Sequence, residues 1–347
     1  MKLVPPNNQN KWFRKHVLKG NQYIPREKIS NMNIEGKVII CDSIDERGIT
    51  SLKNAGLVVD YEPEISAQQL LSNVGSYDVI IVRSRTKITK EVIQKAEKAK
   101  IIARVGVGLD NIDTEEAKKR NIEVINAGEA SITAVSELVL GLMFSLCRSI
   151  PFANYETKKG NWVKKNLIGN ELKGKYLGII GLGKIGRNVA RLARGLRMNL
   201  IGYDVVPIDK SFIQEVSLIT ADLKTLLQSS DFITCHVPLT EQTKYIINKE
   251  SISNMKNTAF LINTSRGEVI EESALIEALQ NNRIAGAALD VFETEPPSNE
   301  ELLSLPNLIC TPHIGAQTKE GQELASLVIA EKIIQNSIGG GANKTSN

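Results

Sequence analysis

The sequence predicts an α/β protein with two doubly wound parallel-sheet domains. From Lys37 onward, short runs of Val and Ile alternate with helical patterns, which indicates strands connected by helices. These runs are apolar throughout, as is typical of strands that helices cover on both faces. A long apolar helix interrupts the alternation, which restarts at Gly174 with a glycine-rich turn. The interruption separates the two predicted sheets.

The elements follow one another in a regular order. The first series of predicted strands lies at residues 38–42, 57–62, 78–84, 101–106 and 123–127. The long helix covers 133–149 and is followed by a connecting segment, 155–170. The second series of strands lies at 177–180, 199–203, 232–237, 259–264, 285–291 and 308–311. A last helix over 319–336 has no strand after it and could pack on either domain.

Composition excludes several classes of function. A chain of 347 residues is long enough for two cores, and its net charge of +4 gives no case for nucleic acid but suits a small anionic substrate. The most apolar helix is too short to span a bilayer, so no membrane partner is expected. The four cysteines lie in apolar runs without metal-ligand spacing. They predict buried reduced thiols, no metal site and a cytoplasmic location.

The two ends of the chain differ from the rest. Residues 1–36 are basic and rich in Asn, without the apolar segment of a secretory signal. A flexible or surface-wrapped extension is the favoured interpretation, and a transit peptide is the alternative. Residues 339–347 are expected to form a flexible tail.

Residues 176–204 form a strand, a glycine-rich turn, a helix and a second strand that ends on Asp204. In this pattern Gly181 permits a tight turn, Gly183 lets a pyrophosphate approach the backbone, and Gly186 lets the helix pack closely. The helix N-terminus offers free N–H groups to the phosphates. Asp204 can accept both ribose hydroxyls of adenosine. The unit therefore predicts dinucleotide binding.

The residues after Asp204 favour NAD over NADP. Val205, Val206 and Pro207 provide no cation for a 2′-phosphate, and the carboxylate would repel one. Lys210 is near enough in sequence to leave NADP open.

Three polar residues follow strands of the second domain. His313 could take and return a proton, Glu295 could orient it, and Arg266 could hold a carboxylate through two bonds. His236 also stands at a strand end and is a rival for the base. Spacing alone does not decide between the two histidines.

The motifs GLGKIG, NTSRGEVIEE, AALDVFETEPP and TPHIGAQT, in this order, resemble the D-isomer-specific 2-hydroxyacid dehydrogenases. The resemblance extends from about Lys37 to Asn336. It implies that Arg266 binds the substrate carboxylate, and that His313 is the acid/base and pairs with Glu295.

The resemblance also implies the domain roles. A flavodoxin-like substrate domain would comprise residues 37–128 and 313–338, and a Rossmann NAD-binding domain would comprise 129–312. Assembly as a homodimer or homotetramer is expected. The implied cofactor-binding residues are Gly181, Gly183, Lys184, Ile185, Gly186, Asp204, His236, Val237, Pro238, Thr264, Asp290, His313, Gly315 and Val107.

Within the family, VRSRTKIT and RVGVGLDNID look like the D-3-phosphoglycerate dehydrogenases. This likeness implies that Arg83, Ser84 and Gln322 hold a substrate phosphate, to whose charge Arg85 could add. Backbone N–H groups around the glycines at 106 and 108 are free to meet the substrate carboxylate. The full set of implied substrate residues is Arg83, Ser84, Gly106, Val107, Gly108, Ser131, Arg266 and Gln322.

The expected reaction is the NAD-dependent oxidation of D-3-phosphoglycerate to 3-phosphohydroxypyruvate, which begins serine biosynthesis. The alternatives are a glyoxylate or hydroxypyruvate reductase and, more remotely, an NAD-sensing binding protein. Gly128 and Ser131 stand where the family often has Pro and Asn, although Ser131 can still donate one bond. No regulatory amino-acid-binding domain is expected after the last helix.

Overall fold

The computed structural model of the chain describes residues 35–339. The predicted extension and tail lie outside these residues, apart from 35, 36 and 339. Contacts between Cα atoms divide the chain into two compact units. The described part of the first unit is 35–126 and 326–339, and the second unit is Ala127–Ala325.

The first unit contains five parallel strands in the order β2-β1-β3-β4-β5. They are β1 (Lys37–Ile40), β2 (Val58–Tyr61), β3 (Val79–Val82), β4 (Ile101–Arg104) and β5 (Glu123–Asn126). Between them lie α1 (Glu46–Asn54), α2 (Ala67–Asn73), α3 (Lys90–Lys95) and α4 (Thr114–Lys119). This strand order is that of flavodoxin-like sheets and confirms the predicted fold class.

Apolar side chains on the central strands form the core of this unit. Ile39, Ile80 and Ile102 are buried and pack with Leu70 and Ile93 from the surrounding helices. Because β3 is buried along its whole length, its sequence is an unbroken apolar run.

The last helix, α13 (Lys319–Gly339), reaches the first unit from Ser326 onward. Asp45 caps α1 by accepting a hydrogen bond from the backbone N–H of Arg47, and its own N–H donates to Ser326 Oγ at 3.0 Å. Gly48 lies against the same serine, since a Cβ at Gly48 would stand 2.8 Å from the Ser326 carbonyl oxygen. A glycine in α1 therefore lets the two helices approach closely.

The second unit contains seven parallel strands in the order β12-β11-β10-β9-β6-β7-β8. They are β6 (Tyr176–Ile180), β7 (Asn199–Tyr203), β8 (Leu218–Thr220), β9 (Phe232–Cys235), β10 (Phe260–Asn263), β11 (Gly286–Leu289) and β12 (Leu308–Cys310). The six strands β6 to β11 are arranged in the Rossmann order, and the switch point lies between β6 and β9. The prediction of a Rossmann sheet is confirmed.

Helices surround this second sheet. They are α5 (Ile132–Cys147), α6 (Ile150–Lys158), α7 (Lys184–Gly195), α8 (Lys210–Val216), α9 (Leu223–Ser229), α10 (Lys249–Ser253), α11 (Glu272–Gln280) and α12 (Glu300–Leu303). One cluster of buried residues includes Leu177 and Val189, and the other includes Ile233 and Leu275. The sheet is thus covered on both faces.

The structure corrects the sequence interpretation after the long helix. We predicted one helix to residue 149 and a connecting segment from 155, but α5 ends at Cys147 and α6 covers Ile150–Lys158. Ser149 has a φ of +48°, which ends the first helix, and Pro151 at the start of α6 suits a new helix. Local backbone geometry, which leaves little trace in the apolar pattern, determines this break.

The cysteine prediction also needs correction at one position. Cys41, Cys147 and Cys235 are buried, but Cys310 is exposed. It ends the short edge strand β12, where no neighbouring strand covers it.

Two searches of the described residues bear on membrane and metal binding. No single helix in 35–339 has the length and apolar character needed to cross a bilayer, although the bent pair α5 and α6 meets these criteria jointly. In the same residues, no group of three or more His, Cys, Asp or Glu side chains is arranged to hold a metal ion.

Gly48→Ala should destabilise the first unit. Alanine normally favours a helix over glycine by up to about 1 kcal/mol, but here the new methyl group would press on the backbone of Ser326, and such overpacking costs about 1–3 kcal/mol. Urea unfolding would measure the loss. Gly195→Ala is the matched control, because a Cβ there meets nothing within 4 Å and should leave stability equal or slightly higher. Equal stability of the two variants would contradict the close contact.

Candidate active site

Three glycines shape the turn between β6 and α7. Gly181 has a φ of +91°, and a Cβ there would lie 2.5 Å from the carbonyl oxygen of His236. A Cβ at Gly186 would collide with the carbonyl of Gly181. At Gly183 a Cβ would meet nothing within 4 Å. Close packing therefore requires the first and third glycines, whereas the second keeps the surface of the turn open.

Gly183 is also the N-cap of α7, and no side chain caps this helix. The first N–H groups of a helix lack partners within the helix and carry partial positive charge. A pyrophosphate can take the place of the missing cap. The turn thus fits the phosphates of a dinucleotide.

Asp204 follows β7 and is half-buried. Its Oδ2 accepts from the N–H of Leu182 at 2.6 Å, and its Oδ1 accepts from the N–H of Val206 at 2.9 Å. A carboxylate can accept about four hydrogen bonds, so both oxygens can still accept ribose hydroxyls. The neighbouring Val205 and Val206 are exposed and bring no cation to this end of the site. These features fit NAD.

Sequence reasoning did not single out Arg187, which follows the glycine motif directly. Its Nε donates to the carbonyl of Leu182 at 2.8 Å, and its guanidinium pairs with Asp209. Since Asp204 holds the N–H of the same leucine, both sides of the turn are fixed. The position of an arginine directly after the motif was the available signal.

Thr264 supplies a further polar group. Its Oγ1 is buried and has no hydrogen-bond partner within the described part of the chain. An unsatisfied buried hydroxyl costs about 1–3 kcal/mol, which a polar ligand would recover.

Four other predicted cofactor residues lie at the ends of elements of the second sheet. Lys184 and Ile185 begin α7, and Val237 and Pro238 follow β9. The contacts of these four residues and of Thr264 with the cofactor stay predictions.

Asn263, at the end of β10, fixes the loop that carries Arg266. Its Oδ1 accepts from the N–H and hydroxyl of Ser265 at 3.0 and 2.7 Å, and its Nδ2 donates to the carbonyl of Arg266 at 2.8 Å. Gly267 permits the close approach of this loop to Phe292, with which a Cβ would collide. The half-buried Arg266 side chain donates to the Ser265 carbonyl at 2.6 Å. The sequence analysis missed Asn263, which lies within a predicted strand.

The structure brings His313 and Glu295 together. Nδ1 of His313 lies 2.8 Å from Oε2 of Glu295, and the two side chains are 54% and 38% exposed. The other ring nitrogen, Nε2, has no hydrogen-bond partner within 35–339 and is available to a ligand. A carboxylate on one nitrogen fixes the tautomer in which the other accepts a proton.

Asp290 holds the loop that presents this histidine. Its Oδ1 accepts from the Thr311 hydroxyl at 2.6 Å and the N–H of Ile314 at 2.8 Å, and its Oδ2 accepts from the N–H of Gly315 at 2.8 Å. His313 has a φ of +53°, a left-handed conformation that costs an ordinary residue about 1–2 kcal/mol. The three bonds to Asp290 compensate for this cost. The contact of Asp290 with the cofactor stays a prediction, whereas its hydrogen bonds to this loop give it a positioning role.

The rival histidine has a different environment. The ring of His236 lies 3.0 Å from the Thr234 hydroxyl, and desolvation lowers its pKa to about 3. A histidine with so low a pKa is neutral near pH 7 and is a weak proton acceptor. The geometry therefore favours His313 as the base.

In the first unit, buried Asp42 organises the loop after β3. Its carboxylate accepts from the N–H of Arg83 and from the Thr86 hydroxyl at 2.6 Å. From the other side, Asn111 Nδ2 donates to the carbonyls of Arg83 and Thr86 at 3.0 and 2.7 Å. Arg83 is half-buried and Ser84 is exposed. The backbone under the predicted phosphate site is thus fixed.

Arg85 has structural contacts that compete with its predicted auxiliary role. Its guanidinium donates to the carbonyls of Cys41, Pro63 and Ile65 at 2.6 to 3.1 Å and pairs with Asp42 at 3.3 Å. Three of its five N–H donors thus bind backbone carbonyls and help to hold these loops together. Sequence pattern could not separate Arg83 from Arg85, since both follow the same strand.

The remaining predicted substrate residues lie in both units. Gly106 has a φ of +149°, and a Cβ there would collide with the guanidinium of Arg104, which sequence reasoning missed. Ser131 is buried, and its Oγ has no partner among residues 35–339. The amide of Gln322 donates to Gln317 Oε1 at 2.7 Å. Ser131 has a donor to offer, and the amide nitrogen of Gln322 has a second N–H besides the one that binds Gln317.

Comparisons with known proteins agree with these features. Residues 140–315 match the model of the D-isomer specific 2-hydroxyacid dehydrogenase NAD binding domain. A D-3-phosphoglycerate dehydrogenase of Methanocaldococcus jannaschii is 46% identical over 86% of this chain and 56% of its own length. A hydroxypyruvate reductase of Thermotoga maritima is 42% identical over 86% of this chain and 97% of its own length.

Among solved structures, a glyoxylate reductase from Paecilomyes thermophila superposes with a TM-score of 0.81 at 28% identity, over 88% of this chain and 96% of that one. The chain belongs to the D-isomer-specific 2-hydroxyacid dehydrogenase family, and NAD is the cofactor of its second unit. It spans little more than half the length, 56%, of the phosphoglycerate dehydrogenase from M. jannaschii.

The low pKa of His236 predicts an acid-dependent loss of stability. Between its folded pKa of about 3 and its unfolded value of 6.5, the unfolded chain binds a proton that the folded chain does not. The free energy of unfolding should therefore fall as the pH drops below 6.5, by up to about 1.4 kcal/mol per pH unit. Urea unfolding of wild type and His236→Gln at several pH values measures this slope. The variant should show a shallower slope, and equal slopes would contradict a ring that stays neutral in the folded protein.

Proposed function

We propose that the protein catalyses the NAD-dependent oxidation of D-3-phosphoglycerate to 3-phosphohydroxypyruvate, the first step of serine biosynthesis. The observation that carries this proposal is the 2.8 Å contact between His313 Nδ1 and Glu295 Oε2, with Nε2 of the same ring open to a ligand. The 46% identity to the M. jannaschii protein supports the phosphorylated substrate.

His313 is the proton acceptor in this proposal. Its neutral ring takes the proton of the substrate hydroxyl at Nε2, and Glu295 stabilises the resulting imidazolium through Nδ1. Bound NAD would supply the hydride acceptor for the carbon that bears this hydroxyl. In the reverse reaction His313 returns the proton to the carbonyl oxygen.

Arg266 binds the substrate carboxylate. Its planar guanidinium can hold a carboxylate through two bonds and does not titrate in the working range. The bonds from Asn263 to Ser265 and Arg266 limit the motion of the loop. The arginine therefore presents its charge from a fixed backbone.

The phosphate would bind to Arg83 and Ser84, with Ser131 and Gln322 as further donors. The bonds from Asp42 and Asn111 hold the backbone at Arg83, so its side chain extends from a rigid strand end. A phosphate dianion needs such a positive charge, and a lysine or hydroxyl alone would bind it less specifically.

A hydroxypyruvate reductase is the second candidate. The T. maritima enzyme of that name matches this chain over 97% of its own length. This match supports an unphosphorylated keto acid as the substrate. Such a substrate would have no phosphate for Arg83 to bind. The two candidates share Arg266, Glu295 and His313 and differ only in the need for a phosphate site.

We further propose that the protein assembles as a homodimer or homotetramer in the cytoplasm. Six large apolar side chains from the end of α5, from α6 and from the segment after it are exposed: Phe144, Ile150, Phe152, Tyr155, Trp162 and Ile168. The last two are 81% and 92% exposed. Such a concentration of exposed apolar groups suits a protein–protein contact, and it supports assembly through the second unit.

His313→Ala should lower kcat by a factor of about 100 to 10,000, the usual contribution of a general base. Steady-state kinetics would measure kcat, and fluorescence titration with NADH would show retained cofactor binding. Glu295→Gln should lower kcat less, because it keeps a hydrogen-bond acceptor but removes the charge. Glu300→Gln, on an exposed helix start, is the control. Unchanged turnover in His313→Ala would contradict the assignment of the base.

Arg83→Ala should raise the KM of D-3-phosphoglycerate by about 10- to 100-fold, since it removes a charge-assisted contact worth about 1.5–3 kcal/mol. The KM of glyoxylate should change little. Arg120→Ala is the control, because this arginine is exposed and its guanidinium donates to the backbone carbonyl of Gln94, outside the predicted phosphate site. Equal effects on both substrates would contradict the phosphate role.

A further inference from the structure

A chain of hydrogen bonds in the first unit runs from the last helix to the loop after β4. Lys332 Nζ donates to the backbone carbonyl of Asn126 at 2.8 Å. The side-chain Nδ2 of Asn126 then donates to the backbone carbonyl of Val107 at 2.6 Å. Asn126 ends β5 directly opposite Arg104, the last residue of β4. The asparagine therefore reaches the loop 105–108 from the neighbouring strand.

The loop has an unusual distribution of donors. The N–H of Gly106 donates to the carbonyl of Arg104 at 2.9 Å, in a turn that the φ of +149° makes possible only for glycine. The next two N–H groups, of Val107 and Gly108, have no hydrogen-bond partner among residues 35–339. Two consecutive free N–H groups next to a glycine turn can bind an anionic oxygen.

The contact with Asn126 determines where one of these donors points. The carbonyl of Val107 and the N–H of Gly108 belong to a single planar peptide group, in which they point in opposite directions. Fixing the carbonyl oxygen therefore fixes the N–H on the other side. A hydrogen bond accepted by the carbonyl also polarises the peptide group and strengthens its N–H as a donor.

We propose that Asn126 is a positioning residue that aims the Gly108 N–H at the substrate carboxylate, and that Lys332 fixes Asn126 for this task. The inference rests on the proposed function and on the expectation from the sequence that the backbone N–H groups around Gly106 and Gly108 meet the substrate carboxylate, in addition to Arg266. Lys332 binds the carbonyl of Asn126 at the end of β5, where the strand leaves the sheet, and so limits the motion of the residue that carries the donor. The last helix thus contributes to substrate affinity without touching the substrate.

The test measures binding of oxamate, a small carboxylate that resembles a 2-keto acid, to the protein saturated with NADH. Asn126→Leu replaces the amide by an uncharged side chain of about the same shape and so removes the Nδ2 donor. Lys332→Met keeps the aliphatic stem and removes the ammonium, whereas Lys332→Arg keeps a donor. Lys98→Met, at an exposed site of the same unit, is the control. Calorimetry gives the Kd of oxamate and of NADH for each variant.

We expect Asn126→Leu to weaken oxamate about tenfold and Lys332→Met about threefold, with NADH affinity unchanged. Lys332→Arg should restore the wild-type Kd. In turnover assays the KM of D-3-phosphoglycerate and of glyoxylate should rise by the same factor, because both carry the carboxylate, while kcat stays within about threefold. This pattern differs from that of Arg83→Ala, which affects only the phosphorylated acid.

Equal oxamate affinity in wild type and Asn126→Leu would overturn the inference, and so would failure of oxamate to bind the wild type. Equal Kd values for Lys332→Met and wild type would remove Lys332 from the chain of contacts. The proposed function fails separately, if the wild type does not oxidise D-3-phosphoglycerate while oxamate still binds through Asn126.

Discussion

Several functional loops of the two sheets depend on one constraint. Where a parallel strand ends and a loop begins, the backbone groups of the loop lose the hydrogen-bond partners that the sheet provides. A polar side chain at or just after the strand end supplies hydrogen-bond partners to these backbone groups. Asp42, Asn126, Asn263 and Asp290 each bond to backbone groups of a nearby loop. Since carboxyl ends of parallel strands share one edge of a sheet, the loops fixed in this way are those where ligands bind.

This constraint links stability to chemistry. Asp290 is buried and its two oxygens accept three bonds from the segment Thr311 to Gly315, so that segment keeps His313 in a left-handed conformation. Only then does the ring present Nδ1 to Glu295 and leave Nε2 exposed. A catalytic group on a loop gains a fixed geometry because a buried acid from another strand end holds the loop.

Sequence patterns predicted the parts that depend on local order. Apolar runs revealed the strands of both sheets except the edge strand β8, whose three residues are too few, and two of them too exposed, to form an apolar run. The spacing of Gly181, Gly183 and Gly186 before Asp204 revealed the nucleotide turn. Pattern could not rank His313 above His236, because the ranking depends on burial and on Glu295, 18 residues away in sequence. The pairing of Glu295 with His313 came from the family resemblance. Nor could pattern separate Arg83 from Arg85, whose guanidinium binds carbonyls from distant loops.

The most direct measurement is NADH formation by the purified protein with NAD and D-3-phosphoglycerate, with a trap for the keto product. Reduction of hydroxypyruvate and glyoxylate by NADH would be followed beside it. We expect clear NADH formation, with a lower KM for the phosphorylated acid than for its unphosphorylated analogue. No oxidation of D-3-phosphoglycerate, together with rapid reduction of hydroxypyruvate, would contradict the proposed substrate and assign the protein to the reductases.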